Sequence, residues 1–296
     1  MLLEGYRDLE LEHKSGVQAF LTADPPLTSE LTFTNLYMWR HHYLPQWREE
    51  AGCLLVVVSP PDTAPFGLPP VGRGDHAAAV AALGRDLAAA GLTPRLARVG
   101  RDLAQSLPAE QYLVEHERDQ DDYVYLAQDL RELKGRKYHR KKNHLNKFLR
   151  AHPRHEYQPL TAEICRKVLD MQEHWCRLRG CEDDPGLASE DLAICEAILA
   201  REALGLTGGV ILLDGRVEAF SLGEMLNPQT AVIHVEKANP EIDGLYTAIN
   251  QRFCQEAWSG AEFINREQDL GLEGLRAAKE SYLPHHLEEK FRVTWR

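Results

Sequence analysis

Residues 208–226, GGVILLDGRVEAFSLGEML, hold two apolar runs separated by Asp214-Gly215. Asp-Gly between such runs suits a two-residue hairpin, whose central residues both take positive φ. The stretch predicts a strand, a tight turn and an antiparallel strand. Downstream, TAVIHVEKA (230–238) reads as a third strand and GLYTAINQRFCQEAWSG (244–260) as a helix with Leu245, Ile249, Phe253 and Ala257 in line. The strand AEFINRE (261–267), the helix LEGLRAAKESY (272–282) and a final strand EKFRVTW (289–295) complete this half. Upstream, HPRHEYQPLT (152–161) reads as a strand. Ala162 to Arg179 then puts Ile164, Val168, Met171, Trp175 and Leu178 on one helical face, with Thr161 as N-cap and Gly180 as stop. A second helix is expected over Ser189–Leu204.

The first half is richer in loops. CLLVVVS (53–59) reads as a strand and HAAAVAALGRDLAAAGL (76–92) as an Ala-rich helix closed by Gly91. LTFTNLYMWRHHY (31–43) clusters aromatics, and YLVEHERDQDDYVYL (112–126) belongs to the same half. Pro60–Gly74 is too rich in Pro and Gly for regular structure and reads as a surface loop bordering a pocket.

At 296 residues the chain suits two domains of roughly 150 residues each. Its longest apolar run, Leu54–Val58, falls far short of the ~20 residues that cross a bilayer. The acidic N-terminus lacks the basic start and apolar core of a signal peptide. The six cysteines show no CxxC pair and no zinc spacing, so free thiols, no metal and a cytoplasmic location are expected. A net charge of −11 excludes indiscriminate nucleic-acid binding.

Against that background, residues 131–150, RELKGRKYHRKKNHLNKFLR, carry nine Lys and Arg and one acid. Leu145, Phe148 and Leu149 supply a partial apolar face, which predicts a basic amphipathic helix over Lys137–Arg150. Lys137, Arg140, Lys141, Lys142 and Lys147 are the candidate RNA-binding cations, with Tyr138 and Phe148 available to stack on bases. The competing reading joins the two halves with this helix and pairs its charges with the acidic stretch Glu115–Asp122.

The stretches LTFTNLYMWR (31–40), LKGRKYHRKKNHLNKFLRAHP (133–153), HVEKANPEIDGLYTAINQRF (234–253) and FINREQDLGLEGLRAAKESYLPHHLEEKF (263–291) together resemble the phosphatidylglycerol lysyltransferase C-terminal-domain-like family. The resemblance covers nearly the whole chain. It implies an α/β fold of two tandem GNAT-like (acyl-CoA N-acyltransferase-like) domains with mixed sheets flanked by helices. The expected boundaries are 1–136 for the first domain, 137–155 for the basic connecting helix and 156–296 for a second domain carrying the active site. Relatives take aminoacyl-tRNA as donor, so the implied function is aminoacyl transfer to an unspecified acceptor, with no cofactor beyond the co-substrate. An acyl-CoA-dependent N-acyltransferase of a small amine or peptide and a non-catalytic RNA- or metabolite-binding module are the alternatives. The named lysyltransferases join this domain to a multi-helix membrane region, which this sequence does not contain.

Acyl transfer to an amine needs a polarised carbonyl and a base, and no covalent nucleophile. Glu236, His234 and Tyr246 are the candidate catalytic residues. Glu224, Lys237, Asn250, Asn265, Arg266, Glu267, Lys279 and Tyr282 are the candidate substrate-binding residues. Strand alternation puts His234 and Glu236 on one face. Their competing roles are purely architectural: a core-satisfied imidazole for His234, and for Glu236 a partner of Lys279 or Arg266. Glu236, Tyr246, Asn265 and Lys279 are expected to line one cavity, and Glu236→Gln to keep the fold while removing the base. A coenzyme A loop of the form Q/R-x-x-G-x-G/A would fall on Glu241, Gly244 and Tyr246, where an acid and a bulky ring oppose it.

Overall fold

The structure, a computed structural model, describes residues 3–296. In chain order the strands are β1 (Arg7–Asp8), β2 (Gln46–Glu50), β3 (Cys53–Val58), β4 (Phe66–Gly67), β5 (Arg95–Gly100), β6 (Tyr112–His116), β7 (Asp122–Leu126), β8 (Glu156–Pro159), β9 (Thr207–Leu213), β10 (Arg216–Met225), β11 (Thr230–Ala238), β12 (Phe263–Asn265), β13 (His286–Glu288) and β14 (Lys290–Trp295). They form two seven-stranded sheets, β1-β2-β3-β4-β5-β14-β6 and β8-β9-β10-β11-β12-β7-β13. Each is mixed, with β4 and β5 parallel in the first and β11 and β12 parallel in the second. The fold is the expected α/β class, two mixed sheets flanked by helices.

The two strand orders match position for position, and in each the sixth place is taken by a strand from the other half of the chain. β14 pairs antiparallel with β5 and β6 in the first sheet. β7 pairs antiparallel with β12 in the second. The chain accordingly divides into Met1–Asp122 with Gln268–Glu273 and Leu287–Arg296, and Tyr123–Glu267 with Gly274–His286. These units differ from the boundaries at 136 and 155 read from the sequence. The final strand, expected to complete the second half, belongs to the first sheet, where Val293 joins Leu55, Val57, Leu83, Leu96 and Val99 in the core.

The hairpin forms as expected. Asp214 and Gly215 both take positive φ, 47° and 79°, and Arg216 pairs with Leu213. β11 then runs beside β12 through Thr230–Phe263, Ala231–Ile264 and Val232–Asn265. There β12 ends while β11 continues to Ala238, so the two central strands part. The helix Leu245–Glu256 follows that opening, its apolar face made by Leu245, Ile249 and Phe253.

Several local readings are corrected. Helix Ala162–Arg179 ends at Gly180 as expected, but Thr161 makes no side-chain cap hydrogen bond. The next helix begins earlier, at Pro185, because Asp184 caps the amides of Gly186 and Leu187, and it breaks after Leu199. The 60–74 loop contains β4, and Phe66, Leu68 and Val71 are buried. It does border a cavity, which Phe66 and Leu68 line with Trp39, Tyr43 and Arg98. Cys176 and Cys181, expected as free thiols, form a disulfide across the left-handed Gly180 turn, with Cα atoms 5.1 Å apart. Among the described residues no helix is long and apolar enough to cross a membrane.

Candidate functional site

His234 is the extra residue of a bulge, since Leu222 pairs with Val235 and Gly223 with Ile233. The bulge seats its ring between two carboxylates, with Nε2 2.9 Å from Glu224 and Nδ1 2.8 Å from Glu267. Burial alone would lower its pKa. The hydrogen bonds to Glu224 and Glu267 outweigh burial and raise it to about 9. The raised pKa favours the protonated ring, which donates from both nitrogens and ties Glu224 to Glu267. In this arrangement His234 acts as a clamp of the site.

That clamp has a pH signature. Because the folded pKa lies above the unfolded value near 6.5, the stabilisation is complete below about 6.5 and is lost as pH rises through about 9. Urea unfolding should show about 3 kcal/mol of stability disappearing across that window, a slope missing from His234→Gln. Parallel stability profiles in parent and variant would rule the clamp out.

Glu236 lies past the last β11–β12 pair and is held on both oxygens. Arg266 Nη2 donates to Oε1 at 2.8 Å, and Asn250 Nδ2 donates to Oε2 at 2.8 Å. Burial works against the Arg266 charge, but the Glu236 carboxylate, together with Tyr125, Tyr282 and Cys254, outweighs it and keeps the guanidinium protonated. Glu236 thus neutralises a largely buried cation, so the structure argues against the expectation that Glu236→Gln leaves folding intact.

The loop after β12 explains how Arg266 and Glu267 reach these places. Asn265, fully buried, accepts from the Glu267 amide at 2.7 Å and folds the chain so tightly that Glu267 takes φ 56°. Lys279 Nζ donates to the Arg266 and Glu267 carbonyls. Asn265 and Lys279 thus shape the loop that presents the other two. Tyr282, buried, lies with its ring 4.7 Å from the Arg266 guanidinium carbon.

The remaining candidates sit elsewhere. Lys237, next along β11 and hence on the opposite face from Glu236, bonds Glu190 at 2.7 Å, and its Nζ lies 3.7 Å from the Trp175 ring centroid. Burial lowers its pKa. Tyr246 accepts from Trp175 Nε1 at 3.1 Å. Among these candidates, Asn265 and Lys279 support the loop that carries Arg266, whereas Tyr246 stands with Trp175. Sequence reading missed Tyr125, whose hydroxyl donates to the Lys279 carbonyl at 2.8 Å and whose ring flanks Arg266. The alternating aromatics of YVYL are its signal, but along the chain they fall in the first half.

The basic segment is a turn, Arg136–Tyr138, leading into the helix His139–Ala151. Tyr138 and Phe148 are fully buried and cannot stack on bases, which corrects that expectation. Lys137 pairs with Asp129 and Lys147 with Asp243, whereas Glu115 and Glu117 pair with Arg292. Charge pairing of the helix with Glu115–Asp122 is thereby corrected too. Arg140 and Lys142 are exposed, with no ion pair among the described residues, and Lys141 turns inward toward Tyr282. The helix also packs on the start of Leu245–Glu256, where a β-carbon on Gly244 would fall 2.2 Å from the His144 carbonyl oxygen.

The solved structures that the chain matches over nearly its whole length include the following three. A conserved protein of unknown function from Bacteroides thetaiotaomicron VPI-5482 is 32% identical, covers 100% of both chains and superposes with TM-score 0.93. The C-terminal domain of an Agrobacterium fabrum protein named as a lysylphosphatidylglycerol synthetase gives 13% identity over 96% of this chain and 91% of that one, TM-score 0.66. L-PGS from Bacillus licheniformis gives 13% over 95% and 91%, TM-score 0.64, so these two share the fold. No curated protein sequence matches the chain. The family described as phosphatidylglycerol lysyltransferase, C-terminal, matches residues 25–294, and the chain belongs to that family.

Proposed function

We propose that the chain is an acyltransferase whose second unit moves an aminoacyl group from aminoacyl-tRNA to a nucleophilic acceptor. The observation that carries this reading is the end of the β11–β12 ladder at Val232 and Asn265, with buried Asn250 and largely buried Glu236 and Arg266 in polar contact beyond it. An acyl carbonyl entering between parted strands meets backbone N–H donors that a paired ladder would consume. Glu236 is the proton acceptor in this reading, since a carboxylate has about four lone-pair sites and two bonds leave others open. The remaining candidates act by positioning: His234, Glu224 and Glu267 as the clamp, Asn265 and Lys279 as loop supports.

The choice of donor follows from the helix start. A coenzyme A pyrophosphate needs open amides at the N-terminus of Leu245–Glu256. Here the His144 carbonyl lies against Gly244, and Glu241 adds negative charge. The exposed Arg140 and Lys142 instead suit an extended polyanion.

Acetyl-coenzyme A should therefore give little thermal stabilisation, while tRNA should be retained at low salt. Arg140→Ala with Lys142→Ala should flatten the dependence of log affinity on log salt by roughly 1 for each phosphate that the variant no longer neutralises. Loss of label from charged tRNA on incubation with the protein tests the transfer itself. A saturable shift at micromolar acetyl-coenzyme A would move the donor to a thioester, and retention of tRNA with its ester intact would leave only RNA binding.

A further inference from the structure

Lys141 differs from its neighbours on helix His139–Ala151. Its Nζ lies 3.7 Å from the centroid of the buried Tyr282 ring and has no hydrogen-bond or ion-pair acceptor among the described residues. Arg266 approaches the same ring, with Cζ 4.7 Å from the centroid. Nη2 of Arg266 is spent on Glu236, but Nη1 is buried with no acceptor. The ring is buried, and Tyr138 anchors the main chain behind it by donating its hydroxyl to the Tyr282 backbone carbonyl at 3.1 Å.

Two like charges on one aromatic ring, each with an unmet donor, cost free energy unless an anion meets them. The cost is visible at Lys141. Burial first, then repulsion from Arg266 and Arg140, hold its pKa down at about 8, with Glu236 opposing. A planar carboxylate suits one bidentate partner, whereas a phosphate group offers oxygens in several directions and can meet donors arriving from two elements.

We propose that Arg266 Nη1 and Lys141 Nζ, set around the Tyr282 ring, form a subsite for one phosphate-type anion. The subsite adjoins the acyl-transfer site through Arg266, but anion binding there requires no turnover, so it is tested apart from that reading. It takes either a terminal phosphate or a phosphodiester.

The test is NMR titration of the Lys141 side chain at constant ionic strength with inorganic phosphate, dimethyl phosphate and acetate. A saturable response to phosphate is expected, with the Lys141 pKa moving up from about 8 toward the ordinary lysine value, because a bound anion favours the charged form. Affinity should weaken as pH rises past that value. Lys141→Met should weaken phosphate binding roughly 10-fold or more, Lys141→Arg should restore it, and Lys142→Met should leave it unchanged. An equal response to dimethyl phosphate assigns a diester, and a response to inorganic phosphate alone assigns a terminal group. No saturable response, a response to acetate alone, or unchanged affinity in folded Lys141→Met would overturn the subsite. The parent titration decides the matter even if the Met variant fails to fold.

Discussion

Glu236→Gln should destabilise the second unit by about 3 kcal/mol, seen as a lowered midpoint in chemical denaturation. The substitution keeps shape and the Asn250 contact but removes the carboxylate that neutralises buried Arg266. Removing one member of a buried pair leaves the other charged and desolvated, which costs more than the pair contributes when intact. Adding Arg266→Met to the variant should therefore recover part of the loss, and the double-mutant cycle should show strong coupling. Additive effects would mean that the contact is solvent-screened. The same logic governs kinetic work, because activity lost in Glu236→Gln is informative only where the variant is shown to be folded, at low temperature or with stabilising ligand.

Lys290→Met should cost the first unit about 3–5 kcal/mol. Lys290 is fully buried at the start of β14, and its Nζ lies 2.7 Å from Glu30 and 2.6 Å from Asp122. Asp122 also accepts from the amide and hydroxyl of Ser29, and the Lys290 amide donates to Asp121 at 2.9 Å. Methionine fills the volume but leaves Asp122 buried without this cation and Glu30 with Arg98 alone. Deleting residues 290–296 should do more, since it removes the strand between β5 and β6 and exposes both edges. Thermal unfolding of Lys290→Met within a degree or two of the parent would show that the charge cluster is dispensable for placing the strand.

The sequence determined the elements and their order wherever local chemistry is decisive. Asp214-Gly215 dictated the hairpin because few residue pairs tolerate two positive φ angles. The periodic apolar face of 162–179 dictated that helix, and Gly180 its end. His234, Glu236, Asn265 and Arg266 were legible as polar residues on or just past apolar strands, and Lys279 as a polar residue of the following helix. Their roles were not, because a role depends on which partner arrives from a distant segment. Alternation placed His234 on one face, but only the bulge opposite Leu222 and Gly223 set its ring between Glu224 and Glu267. Along the chain Glu236 reads either as a base or as a partner of Lys279 or Arg266, and only the fold selects Arg266 and adds Asn250 on the other oxygen. The exchanged strands lay furthest beyond sequence reading. EKFRVTW and DYVYL each specify a strand, yet period-2 patterning carries no information about which sheet a strand joins. That choice was made by buried partners more than a hundred residues away, Lys290 with Glu30 and Asp122 for β14 and Tyr125 opposite Ile264 for β7.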